Sequence, residues 1–144
     1  MPIVRRSFVL LVNLIFFVAG SYVGSARALQ GDQSVQTIEV TAKKYDFTPS
    51  LIRVKQGATV RLKVTASDRT HGFKIDIYPD GAKDKGRPGL VFTSTQECIK
   101  LEKNTPETVE FVAHTPGTYT FKCCVHCGFG HGHMKGQLIV EPTD

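Results

Sequence analysis

The densest chemistry in this sequence lies between Cys123 and Met134, in the run Cys-Cys-Val-His-Cys-Gly-Phe-Gly-His-Gly-His-Met. Within it stands Cys123-x3-Cys127-x3-His131-x2-Met134. Thiolate, imidazole and thioether are the donors that copper takes in electron-transfer sites, whereas calcium and magnesium require oxygen. If the leader described below is removed, Met134 is the one methionine left, because Met1 goes with it. Its place among glycines, histidines and lysine argues for a ligand rather than core filler. A single loop closes a copper site poorly, so a remote histidine is expected. His71 is the candidate, at the mouth of an apolar alternation in Asp68-Arg-Thr-His-Gly-Phe-Lys-Ile75.

The run holds more donors than one site needs. Cys124, His126 and His133 are surplus, and they support rival arrangements. Cys123 with His126 has the spacing of a mononuclear blue-copper pair, with His131 at the axial position. Cys127, His131, Met134 and His71 make a second mononuclear set. Cys123, Cys127 and two histidines make a structural zinc site. Cys98 and Cys124 either pair as a disulfide, which geometry decides, or leave Cys98 free and buried. His114, before the turn Thr115-Pro-Gly117, reads as surface.

The elements that must position these residues are short strands. Thr37–Ala42, Leu51–Lys55 and Thr59–Ala66 alternate apolar and polar residues, as do Phe73, Ile75 and Ile77. Leu90–Phe92 and a brief strand near Ile99–Leu101 follow a polar loop over residues 79–88. Val109 with Phe111, then Gly117–Lys122 and Gly136–Val140, complete the set. Seven to nine strands with regular turn signals imply an all-β, antiparallel sandwich or Greek-key barrel, with the site on its end loops.

The first 28 residues read as a cleaved signal peptide. Arg5 and Arg6 precede an apolar run from Phe8 to Ala19, and Ala26-Arg-Ala28 offers a cleavage site. The run is short for a bilayer span, which needs about 20 apolar residues, so an uncleaved anchor is the lesser reading. Residues 29–36 form a short lead-in and residues 37–142 the domain. The expected location is periplasmic or extracellular. The whole chain carries +5. Loss of Arg5, Arg6 and Arg27 leaves 15 basic against 13 acidic residues, a net +2. That balance gives no case for nucleic acid. No carboxylate pair or Ser-His-Asp pattern points to hydrolysis of a small-molecule substrate.

On these residues the chain resembles a cupredoxin. Cys123-x3-Cys127-Gly128-x2-His131-x2-Met134 is similar to the CuA motif of cytochrome c oxidase subunit II and nitrous oxide reductase. Thr70-His71-Gly72-Phe73 is similar to the stretch that carries the upstream histidine. Small exported cupredoxin-like proteins share the loop. The resemblance implies two coppers bridged by Cys123 and Cys127, with His71 and His131 terminal, Met134 a weak axial ligand and the Val125 carbonyl axial on the other side. It implies an electron carrier for a redox protein partner, not an enzyme by itself. The chain departs from that family in three ways: valine stands at position 125 where glutamate is usual, paired membrane helices are missing, and there is no tryptophan for electron uptake. The surplus donors keep a copper storage, delivery or resistance module open as the alternative.

Overall fold

A computed structural model of the chain describes residues 35–143, apart from Asp84, Thr95 and Gln96. The signal-peptide reading therefore lies outside the described residues. Ten strands are present among them: β1 (Gln36–Lys43), β2 (Asp46–Thr48), β3 (Leu51–Lys55), β4 (Thr59–Ala66), β5 (His71–Ile75), β6 (Leu90–Phe92), β7 (Ile99–Leu101), β8 (Pro106–Ala113), β9 (Gly117–Lys122) and β10 (Lys135–Glu141). They form two five-stranded sheets, in the orders β2-β1-β4-β8-β6 and β3-β10-β9-β5-β7. The only helical element described is the 3-10 turn His131–His133.

The alternation in the sequence builds the core directly. Val60, Leu62, Val64 and Ala66 of β4 are completely buried, while Arg61 and Lys63 between them face water. From the other sheet come Ile52, Val54, Phe73, Ile75, Tyr119, Phe121, Leu138 and Val140. Phe47, Phe73 and Phe121 pack with centroids 5.4 to 5.8 Å apart, two of the three pairs edge-on. Phe121 is the inward residue of β9 just before Cys123, so this aromatic cluster supports the start of the cysteine- and histidine-rich run from below.

Three points differ from expectation. The sandwich is mixed rather than antiparallel: β1 runs parallel to β4, and β3 parallel to β10. The cause is the Pro49-Ser50 break, after which the chain leaves the first sheet at β2 and joins the second at β3. β2 itself was not anticipated, since a three-residue strand with only Phe47 buried carries too little alternation to read. β5 ends at Ile75 rather than reaching Ile77. Beyond it, the Ile77 carbonyl accepts the Gly89 and Leu90 amides at 2.8 and 3.2 Å.

The topology brings the chemical residues to one end. β9 pairs antiparallel with both β10 and β5. The end of β9 therefore lies beside the start of β10, and the residues just past it run beside the start of β5. With Lys74 opposite Lys122, counting back along β5 sets Gly72 and His71 alongside Cys124 and Val125.

Candidate metal centre

Cys123 continues the alternation of β9. Tyr119 and Phe121 point inward, and so does Cys123, although it lies one residue past the strand. The chain then leaves the sheet, and the Cys123 amide donates to the Met134 carbonyl at 3.0 Å, closing the base of the loop. Inside the loop, Gly128 adopts φ +128°, a conformation that favours glycine. The 3-10 turn follows, held by His131 N to Gly128 O at 3.0 Å and His133 N to Gly130 O at 3.1 Å. Met134 then returns to the interior, fully buried. The Tyr45 ring lies against Gly128 and Gly130, where any side chain on either glycine would collide with it. Arg69 Nη1 donates to the Cys127 carbonyl at 3.4 Å.

His71 opens β5 and is completely buried. Its Nε2 lies 2.7 Å from Asp68 Oδ1. Burial works against ionisation of Asp68, but hydrogen bonds from His71 and from the Lys44 and Arg69 amides prevail and hold the carboxyl at about 2. An ionised carboxylate only accepts, which assigns a proton to Nε2, so that in the neutral ring Nδ1 carries the lone pair. His71 Nδ1 is buried and has no partner. An unsatisfied buried acceptor is costly, and a carboxylate on the far nitrogen is the usual support for a metal-binding imidazole.

The ligand atoms of His71, Cys123 and Cys127 lie within 4.8 Å of one another. Cys123 Sγ and Cys127 Sγ are 3.6 Å apart. Cys127 Sγ is 3.9 Å from His131 Nδ1 and 4.0 Å from Met134 Sδ. Cys123 Sγ is 3.2 Å from the Val125 carbonyl and 3.3 Å from the Gly72 amide, which donates to it. Burial, with the hydrogen bond and charge of Cys123 beside it, pushes the Cys127 thiol up to about 11. Two thiolates this close need a cation between them to be ionised together. The orphaned imidazole nitrogen and the soft donors around it fit a copper ion.

The surplus donors separate from this group. Cys124 is joined to Cys98 in a disulfide, which leaves Cys123 and Cys127 as the free cysteines. His126 and His133 are exposed, although the His126 ring lies 5.6 Å from that of His131. His114 is exposed too. Sequence reading missed Asp68, Gly72 and Tyr45. Asp68 was visible as an acid three residues before the histidine, but nothing in the spacing says that the chain turns back there.

Residues 9–140 match the family model described as the cupredoxin-like domain. The chain belongs to that family. This cupredoxin is 27% identical over 123 residues to cytochrome c oxidase subunit 2 of Thermus thermophilus, covering 85% of this chain and 78% of that one. It is 33% identical over 97 residues to plastocyanin of Dryopteris crassirhizoma, covering 67% of this chain and 89% of that one. Among solved structures, auracyanin A, a blue copper protein of Chloroflexus aurantiacus, superposes with a TM-score of 0.56 at 20% identity, over 75% of this chain and 100% of that one. That likeness is one of fold. No described helix of this cupredoxin is long and apolar enough to cross a membrane.

Proposed function

We propose that this cupredoxin is an exported electron-transfer protein with a CuA-like dinuclear copper site. The reading is carried by two buried, disulfide-free sulfurs, Cys123 and Cys127, 3.6 Å apart. A ring nitrogen of His71 lies within 4.8 Å of both sulfurs, its Nδ1 is unpartnered, and His131 and Met134 stand beside Cys127. In this reading Cys123, Cys127, His71 and His131 would hold the copper, and Met134 and the Val125 carbonyl would be its weaker donors. Copper held there supplies a one-electron couple. The residues do the rest. Asp68 orients His71, the Gly72 amide stabilises charge on Cys123, and the loop's own hydrogen bonds hold the donors in place in either charge state. Residues 1–28 serve as the cleaved export signal, which places the domain outside the cytoplasm.

A redox protein is the fitting partner. Phe129 is fully exposed at the tip of the loop, between Cys127 and His131, where it offers an apolar contact close to the site. The similarity to subunit 2 of an oxidase makes an oxidase-type complex the natural acceptor. The storage reading loses part of its motive, because Cys124 is occupied by Cys98 and two histidines face solvent.

The test is copper stoichiometry with EPR of the oxidised, copper-loaded protein. Two coppers per chain and a seven-line pattern from one electron shared between them are expected. One copper with a four-line pattern would overturn the dinuclear reading in favour of a mononuclear site.

A further inference from the structure

The Cys98–Cys124 disulfide sits beside the metal-ligand run, yet the copper reading assigns it no role. Cys123 and Cys124 follow directly on β9, and their side chains meet different neighbours. Cys123 points inward, to the Gly72 amide and Cys127. Cys124 points outward, and its sulfur packs where a side chain on Gly72 would stand: a Cβ built there would lie 2.8 Å from Cys124 Sγ and 2.6 Å from the Val125 amide nitrogen. His71, next to Gly72, points the other way, into the site. Cys98 immediately precedes β7, whose Ile99, Lys100 and Leu101 pair with Phe73, Gly72 and His71. The disulfide thus ties the first residues of the ligand loop, across Gly72, to the strand flanking His71.

We propose that this disulfide is a ligand-selecting clamp: it holds the Cys124 sulfur on the outer face of β5, so that the metal meets two thiols rather than three. The chemical need is specific. A freed Cys124 would put a third soft donor one residue from Cys123. Copper does not discriminate between neighbouring thiolates by affinity, so geometry has to do it. Cys98 is exposed and Cys124 only half-buried, so the clamp lies at the surface, where it covers Gly72 without entering the core.

The inference rests on the copper reading only in using copper as the probe, and every variant is judged against the wild-type protein, whatever its copper number proves to be. Three measurements decide it. First, the metal-free wild-type chain is unfolded without reductant and treated with iodoacetamide. Modification of Cys123 and Cys127 alone is expected, and modification of all four cysteines overturns the clamp. Second, copper is loaded into C98S, which frees the Cys124 thiol. Its EPR and visible charge-transfer bands should differ from wild type, and C98S with the wild-type spectrum overturns the proposal. Third, C98S/C124S, which lacks both the disulfide and the extra thiol, should return to the wild-type spectrum. A double variant displaced as far as C98S would show that the bond merely props up the fold. Should C98S fail to fold, the folded wild-type protein is reduced, freed of reductant and loaded with copper anaerobically: a shifted spectrum is expected, and a wild-type spectrum with four thiols counted overturns the proposal.

Discussion

At the scale of single residues, the site depends on a pair that only half showed itself beforehand. His71 was legible because a copper loop needs a distant imidazole and few histidines stood at a strand mouth. Its carboxylate partner was not legible, because Asp68 acts through a turn whose shape no spacing reveals. The contact gives Asp68 a definite task. By accepting from Nε2 it fixes the tautomer and leaves Nδ1 free for a metal. Asp68→Ala should therefore weaken copper binding by about 10- to 100-fold, the usual cost of losing such a support. Asp68→Asn should cost less, since its amide oxygen can still accept from Nε2. Competition against a chelator measures both, with the thermal midpoint of each metal-free variant as the control. Equal losses in the two variants would show that charge rather than orientation is what Asp68 contributes.

At the scale of elements, the strands that alternate strongly were plain in the sequence, and β4 is the clearest case. What stayed hidden was pairing. Alternation says which face of a strand is buried and nothing about its neighbour, so the parallel pairs β1–β4 and β3–β10 had to come from the fold. The same holds for the contact of β5 with the ligand loop. Gly72 reads as an ordinary strand glycine until the register sets it against Cys124 and Val125. Its missing side chain is what lets the loop close onto the strand. Gly72→Ala introduces a methyl 2.6 Å from a backbone nitrogen, which a rotamer change cannot relieve. The loop would have to move away from β5, taking Cys123 with it. The expected result is a variant that stays folded by far-UV circular dichroism, loses most of its copper on dialysis, and shows a changed EPR pattern in what remains. A fully loaded Gly72→Ala with wild-type spectra would mean that the loop is not held by this contact.

At the scale of the whole molecule, the site requires a sandwich that does not shift when its charge changes, and Tyr119 is one of the groups that lock the two sheets' ends. It is completely buried, and its hydroxyl donates to the Thr115 carbonyl four residues upstream at 2.6 Å. The hydroxyl end of its ring lies against Gly89, where a larger residue would collide with it. Such a hydroxyl-to-backbone bond at a strand corner is familiar from other β-sandwiches. Burial raises the pKa of Tyr119 above its ordinary value. The sign follows from linkage. The folded chain holds the phenol neutral while the unfolded chain ionises near pH ~10, so the stabilisation is fully present below that value and is lost as pH rises through the folded pKa. Tyr119→Phe removes one hydrogen bond and leaves the Thr115 carbonyl to water, so at neutral pH it should cost about 1 kcal/mol. Above pH ~10 the wild-type chain loses this advantage and the variant does not, so their denaturation midpoints should converge. Urea titrations of both chains across that range supply the check, and because the two chains differ only in the hydroxyl, the difference between the curves isolates the phenol. A gap that stayed constant through alkaline pH would mean that Tyr119 ionises as readily in the folded chain as in the unfolded one.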